Sequence, residues 1–208
     1  MDPALIEAHF TRSDGTYLCA RWGRPIVPVV FGVDDATLPV IKGAIEAVAL
    51  LAGHETAETD MELGANMMVF FFRAWDELLD LPDLGRMIPD LAPLVERLKR
   101  VEANQYRVFR FDSAGAIKAA FVFIRMDAHL EAVPAETLAL SQAVQTILSW
   151  SDTAFQEHSP LAMVPGQDMA VLRPDISALI RAVYDPVLPD CARDPSHALR
   201  LSARVRLH

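Results

Sequence analysis

Residues 66–73 read Asn-Met-Met-Val-Phe-Phe-Phe-Arg. The run is apolar between its polar ends, is bounded by Gly64 and by Trp75-Asp76, and has no alternation that would leave one side wet. A short apolar segment of this kind predicts a strand buried on both faces in the middle of a sheet. The segments before it supply its neighbours. Pro25-Ile26-Val27-Pro28-Val29-Val30-Phe31 predicts a strand with proline at its margins. Asp34-Asp35 stands where an N-cap belongs, Leu38, Ile41, Ile45, Val48 and Leu51 recur at steps of three and four, and Gly53 follows, so 38–52 predicts an amphipathic helix.

Further out, Ala4 to Phe10 predicts a short helix after Asp2-Pro3, and His54 to Leu63 an acidic, solvated loop. Pro82, Pro89 and Pro93 divide residues 75–100 into two or three short helices. Gln105 to Asp112, with Arg107 and Arg110 set among Tyr106, Val108, Phe109 and Phe111, is joined through Ser113-Ala114-Gly115 to a second β run at Ala116 to Met126. That pattern is a hairpin. Pro134 and Glu136 open a helix expected to run to about Trp150, Ser151 to Asp168 is irregular, and Pro174-Asp175 opens a helix with Ile176, Leu179, Ile180 and Val183 on one side. In the tail, Leu199, Leu201, Ala203, Val205 and Leu207 alternate with Arg200, Ser202, Arg204, Arg206 and His208, a period of two that predicts an edge strand with one basic face.

The chain has 208 residues, 52% apolar and 23% charged, which suits one ordinary domain. A formal net charge of −9 and a pI near 5.1 argue against a general nucleic-acid-binding surface. No window has the length and apolarity of a membrane span. Met1 to Phe10 carries Asp2, Glu7 and His9 and lacks the basic and apolar regions of a secretory signal, so the chain as written reads as cytoplasmic; one from which a signal had been removed would be periplasmic or secreted. Cys19 and Cys191 lie near opposite ends without a C-x-x-C spacing, consistent with either two unpaired thiols or one terminus-to-terminus disulfide.

The motifs that carry chemistry are mostly missing. His54-Glu55-Thr56-Ala57-Glu58 has glutamate where a helical zinc site needs its second histidine, and the six histidines are scattered. Asp76, Glu77, Asp80 and Asp83 read as the wet side of a helix. There is no glycine-rich phosphate loop, no dinucleotide fingerprint and no nucleophile elbow, and Ser151, Asp152 and His158 make no recognisable triad.

The order of parts is more informative. Arg21-Trp22-Gly23-Arg24-Pro25-Ile26 leading into a strand, a long helix, Ala65-Asn66 before an apolar strand, a hairpin, a helix and an irregular loop with Met163, then Pro174-Asp175-Ile176 opening a helix that closes on Tyr184, resembles the matrix-metalloprotease-like zincins. It resembles more closely an uncharacterised bacterial domain family, several of whose members look exported, which is similar to a degenerate relative of those proteases. The resemblance implies an α+β fold: a twisted mixed sheet of four or five strands, the 38–52 helix on one face and the 135–150 helix beneath the cleft. It spans residues 17–190, leaving 1–16 as an N-terminal arm and 191–208 as a basic tail.

Laid on the metzincin frame H-E-x-x-H-x-x-G-x-x-H, Ser141, Gln145 and Ser151 stand at the ligand positions, Gln142 at the base and Leu148 at the turn glycine. Glutamine and serine are poor zinc ligands, and an amide cannot accept a proton as a carboxylate does. Gln145, Asp152 and Tyr184-Asp185-Pro186 match the uncharacterised family; Ser141, Gln142 and Leu148 depart from it. The expectation is a pseudo-zincin without metal, cofactor or catalytic residue, binding a protein or peptide in a cleft that includes His158, Met163 and Tyr184. Gln145 and Asp152 are expected to bond each other or a loop backbone, as a staple in place of the metal. Two other readings follow from the residues: a divergent hydrolase using Asp152, His158 or Glu136, and an assembly protein docking an acidic partner through its tail strand and arginine-rich hairpin. No oligomeric state is specified.

Overall fold

The computed structural model describes residues 1–167 and 169–207. Asp168, at the end of the expected irregular segment, and His208, at the end of the alternating tail, lie outside the described residues. Helix α1 (Pro3–Phe10) is capped by Asp2, whose carboxylate accepts the Ala4 N–H at 2.8 Å. Strand β1 (Cys19–Ala20) precedes β2 (Pro28–Phe31), α2 (Thr37–Ala52) and β3 (Met67–Phe72). The proline-divided stretch forms a 3₁₀ turn (Trp75–Asp80), α3 (Leu84–Met87) and α4 (Leu91–Arg100). The hairpin is β4 (Gln105–Phe111) and β5 (Ile117–Arg125), followed by α5 (Ala128–Glu131) and α6 (Ala135–Thr146). A small ribbon, β6 (Leu161–Met163) with β7 (Ala170–Leu172), leads to α7 (Pro174–Val183), β8 (Cys191–Ala192) and α8 (His197–Val205).

The main sheet has four strands in the order β2-β3-β5-β4, mixed because β4 alone runs antiparallel. This is an α+β architecture with 66–73 at its centre, as the apolar run requires. Side chains alternate along the strands. Met67 and Val69 of β3 and Ala120, Val122 and Ile124 of β5 face α2 and α6, while Phe70 and Phe72 with Phe121 and Phe123 face Trp75, Val95 and Leu98. Both long helices therefore lie on the same side of the sheet, packed against each other. Gly32 is required where the chain leaves β2: at φ +80° it passes so close to β3 that a Cβ would sit 1.9 Å from the Phe71 carbonyl oxygen.

Three expectations are corrected. The helix expected to reach Trp150 ends at Thr146. Leu148 instead bridges Arg21, and the Ser149 N–H donates to Ala20 O at 3.0 Å, so pairing with the β1 region draws the backbone away. The open carbonyls of the helix end are met by side chains: Trp150 Nε1 donates to Val144 O (2.8 Å), Trp22 Nε1 to Thr146 O (3.0 Å) and the Tyr184 hydroxyl to Ile147 O (3.0 Å).

The second correction concerns the tail. Residues 197–205 form helix α8 and no edge strand. His197, Ala198, Leu201 and Ser202 are buried, whereas Leu199 is 62% exposed. The alternating leucines were equally compatible with a helix that buries only one of them, and packing against α1 and α7 selects that outcome. The Ser202 hydroxyl donates to Met1 O at 3.0 Å, and Ile6, Phe10, Ala198 and Leu201 all join the main core, so arm and tail close on each other.

Cys19 and Cys191 are both free. Cys19 pairs with Ala192 and Ala20 with Cys191, so the cysteines sit one register step apart, on opposite faces of the β1–β8 ribbon. His54 is not in a solvated loop: it is partly buried, with Nε2 2.8 Å from Arg24 O and its ring against Tyr184.

Candidate functional site

The residues laid on the metzincin frame do not form one cluster. Gln145, Ser151 and Asp152 line one wall of a cleft of about 500 Å³, together with Trp150 and Phe155. The facing wall is β4, from Gln105 to Phe109 and on to Phe111, and Arg12 stands at the arm side. Ser141 lies one turn away, its hydroxyl accepting from Gln145 Nε2 at 2.9 Å. With Met163 and Ser159 it lines a separate cavity of about 320 Å³. Leu148 is wholly buried. Tyr184 supports the end of α6 and contacts Arg21 and His54 rather than the cleft. His158 is exposed and is not part of the cleft lining, which corrects its assignment there, and Glu136, in the first turn of α6, is likewise exposed. Asp152 thus has neither His158 nor Glu136 beside it in the cleft, and the divergent-hydrolase reading lacks the convergence it needed.

Gln145 and Asp152 do not bond each other: Gln145 bonds Ser141, and Asp152 bonds the backbone of a turn in the N-terminal arm. Asp152 accepts the Ser13 N–H at 2.9 Å and the Ser13 hydroxyl, which together hold its carboxyl below the usual carboxylate range. Ser151 N–H donates to His9 O at 2.9 Å and its hydroxyl to Ala8 O at 3.3 Å. These two positions after the helix thus anchor the N-terminal arm, whose Arg12 lines the cleft. Aromatic contacts stiffen the same corner: Trp150 stacks on Phe10 and meets Phe155 edge-on, and Phe155 holds φ +64°. A left-handed backbone at an aromatic residue costs about 1–2 kcal/mol and persists only where packing fixes it.

Gln142, 3% exposed, faces β4 from inside. Its Oε1 accepts from Arg107 Nη2 at 2.5 Å, and its Nε2 donates to Gln105 Oε1 at 2.9 Å; Arg107 Nη2 also reaches Gln105 Oε1 at 3.1 Å. Arg107 is therefore held by two neutral amides. Burial alone pushes its pKa down, to about 10, so it remains a cation at neutral pH. Sequence reading noted Arg107 as one of the arginines of the hairpin; its bonding partner Gln142 is 35 positions away.

The outer edge of β4 pairs with no strand among the described residues. The Arg125 N–H donates to Asn104 O at 2.8 Å, which fixes the parity of the ladder: Tyr106, Val108 and Arg110 bond inward to β5, and the backbone groups of Gln105, Arg107 and Phe109 point outward along the cleft. Among the described residues, no three or more His, Cys, Asp or Glu side chains gather where they could hold a metal ion. No described helix is long and apolar enough to cross a membrane. Comparison with protein-family models, with curated proteins and with solved structures finds no match.

Proposed function

We propose that this chain is a pseudo-zincin: a scaffold related to the metalloprotease-like zincins whose zinc ligands and base have been replaced, and which binds an extended protein or peptide segment in its cleft. The observation that carries the reading is the free edge of β4 facing Gln145, Ser151 and Asp152 across an aromatic-lined groove. Outward N–H and C=O groups at Gln105, Arg107 and Phe109 suit the addition of one more strand, which gives affinity through main-chain bonds. Two further features support the relationship. The elements follow the order on which the resemblance rests, and α6 breaks just before Leu148, where the metzincin frame has its glycine, although Leu148 needs no left-handed backbone.

The test has two parts. Protein purified without chelator or histidine tag should hold well under one equivalent of zinc and show no zinc-dependent rise in melting temperature; about one tightly held equivalent refutes the loss of the metal site. Peptides selected from a random display library should slow amide exchange at Gln105, Arg107 and Phe109. Selected peptides that bind while leaving those amides unchanged refute strand addition in this cleft.

A further inference from the structure

We propose that the cleft recognises a carboxylate, with the Arg107 guanidinium as its counter-ion. This rests on reading the cleft as a binding site and names the group that the site takes. Of the donors of Arg107, only Nη2 is engaged, by the oxygens of Gln142 and Gln105. Nε is sealed from water and has no acceptor, and Nη1 has none among the described residues. No ion pair among the described residues includes Arg107. The guanidinium, half-buried on the cleft wall beside neutral amides, is a cation with no opposite charge in contact with it, and Nη1 is the donor left for a ligand.

The surroundings narrow what that something is. Asp152, the carboxylate on the facing wall, is already engaged by Ser13. Arg12, also on the cleft, has no ion pair among the described residues, so the lining carries two cations, Arg12 and Arg107, against the single carboxylate of Asp152. The remaining Nη1 donors can give a charge-assisted bond to a carboxylate oxygen, and Phe109, Phe111, Trp150 and Phe155 line the space beside it with rings that would cover an apolar neighbour of that carboxylate. Position 142 is the determinant. A glutamate there would neutralise Arg107 from within; the amide of Gln142 orients the guanidinium and leaves its charge for a ligand. A peptide offers a carboxylate at its C-terminus or on an Asp or Glu side chain, and the chemistry is the same.

The experiment titrates the full ¹⁵N-labelled chain with phenylacetate, phenylacetamide and inorganic phosphate, following the Arg107 Nε–Hε resonance. Phenylacetate alone should move it, and Gln142→Glu and Arg107→Gln should each weaken phenylacetate binding at least about tenfold. Should Arg107→Gln fail to fold, Gln142→Glu, which keeps size and hydrogen-bonding reach, decides the matter. Three acetylated apolar hexapeptides separate the sources: a free C-terminal acid, its carboxamide, and the carboxamide with a central glutamate. Preference for the first assigns the C-terminus, and preference for the third a side chain. Equal response to phenylacetamide, an equal or stronger response to phosphate, or undiminished binding by a folded Gln142→Glu chain overturns the carboxylate assignment. If hexapeptides still protect the β4 amides in that case, the cleft reading survives it. If phenylacetate binds at Arg107 and no hexapeptide does, the carboxylate site stands and the peptide reading falls. Failure of every probe removes both.

Discussion

On one face of the sheet, Phe70, Phe72, Phe121 and Phe123 meet Trp75, Val95 and Leu98, and the Trp75 indole donates to Ala103 O at 2.8 Å. On the other, the same strands meet α2 and α6 across a larger apolar core that also contains Gln142, Thr146, Ser149 and Ser151, all buried and all hydrogen-bonded. The first face is a packing solution and nothing more: apolar side chains of adequate volume, interdigitated. The second retains polar groups that cost free energy unless each is matched, and it is there that an unmatched one, Arg107, is found. Buried polarity confined to one face marks where a folded chain has kept something besides stability.

This contrast can be broken by mutation. The largest expected effect is on the apolar face: Phe123, fully buried, replaced in Phe123→Ala, should lose about 3–5 kcal/mol of unfolding free energy, read from urea denaturation. A loss below about 1 kcal/mol would mean that this face is not the tightly packed one. Next comes the tail, which contributes to the polar-bearing side. Leu201→Ala should cost about 2–4 kcal/mol, and Leu199→Ala, at an exposed position, less than about 0.5 kcal/mol. Similar costs at the two positions would restore the strand reading, because a period of two places both on one face.

The smallest effect belongs to the staple. Ser13→Ala removes one of two bonds to Asp152 at an exposed site and should cost about 0.5–1 kcal/mol at pH 7. The sign with pH follows from a carboxyl held low in the folded state. Its contribution is complete above the ordinary carboxylate pKa of about 4 and is lost as pH falls through the folded value. The difference between wild type and Ser13→Ala should therefore shrink on acidification; a difference that grows would place the bond elsewhere.

Much of the fold was legible because it was local. Apolar runs bounded by turns located β2 and β3, the three-and-four spacing located α2 and α7, and prolines divided 75–100, since each pattern reports how neighbouring residues share one solvent boundary. Gln145 and Asp152 were singled out and do stand on the cleft, yet Asp152 is tied to Ser13, 139 positions away, and Arg107 was noticed only as one of the arginines of the hairpin. His158 was misplaced because a loop's direction is not written in its composition.

By itself, then, the sequence determined an α+β chain with 66–73 at the heart of the sheet. Only the tertiary structure decided that the tail is helical, that α6 stops at Thr146 and that Arg107 is held between two amides. The physical reason is the same in all three cases. Local periodicity fixes which faces are apolar, but which of two compatible conformations forms, and whether a charge finds a partner, depends on contacts closed over many residues, after the core has assembled.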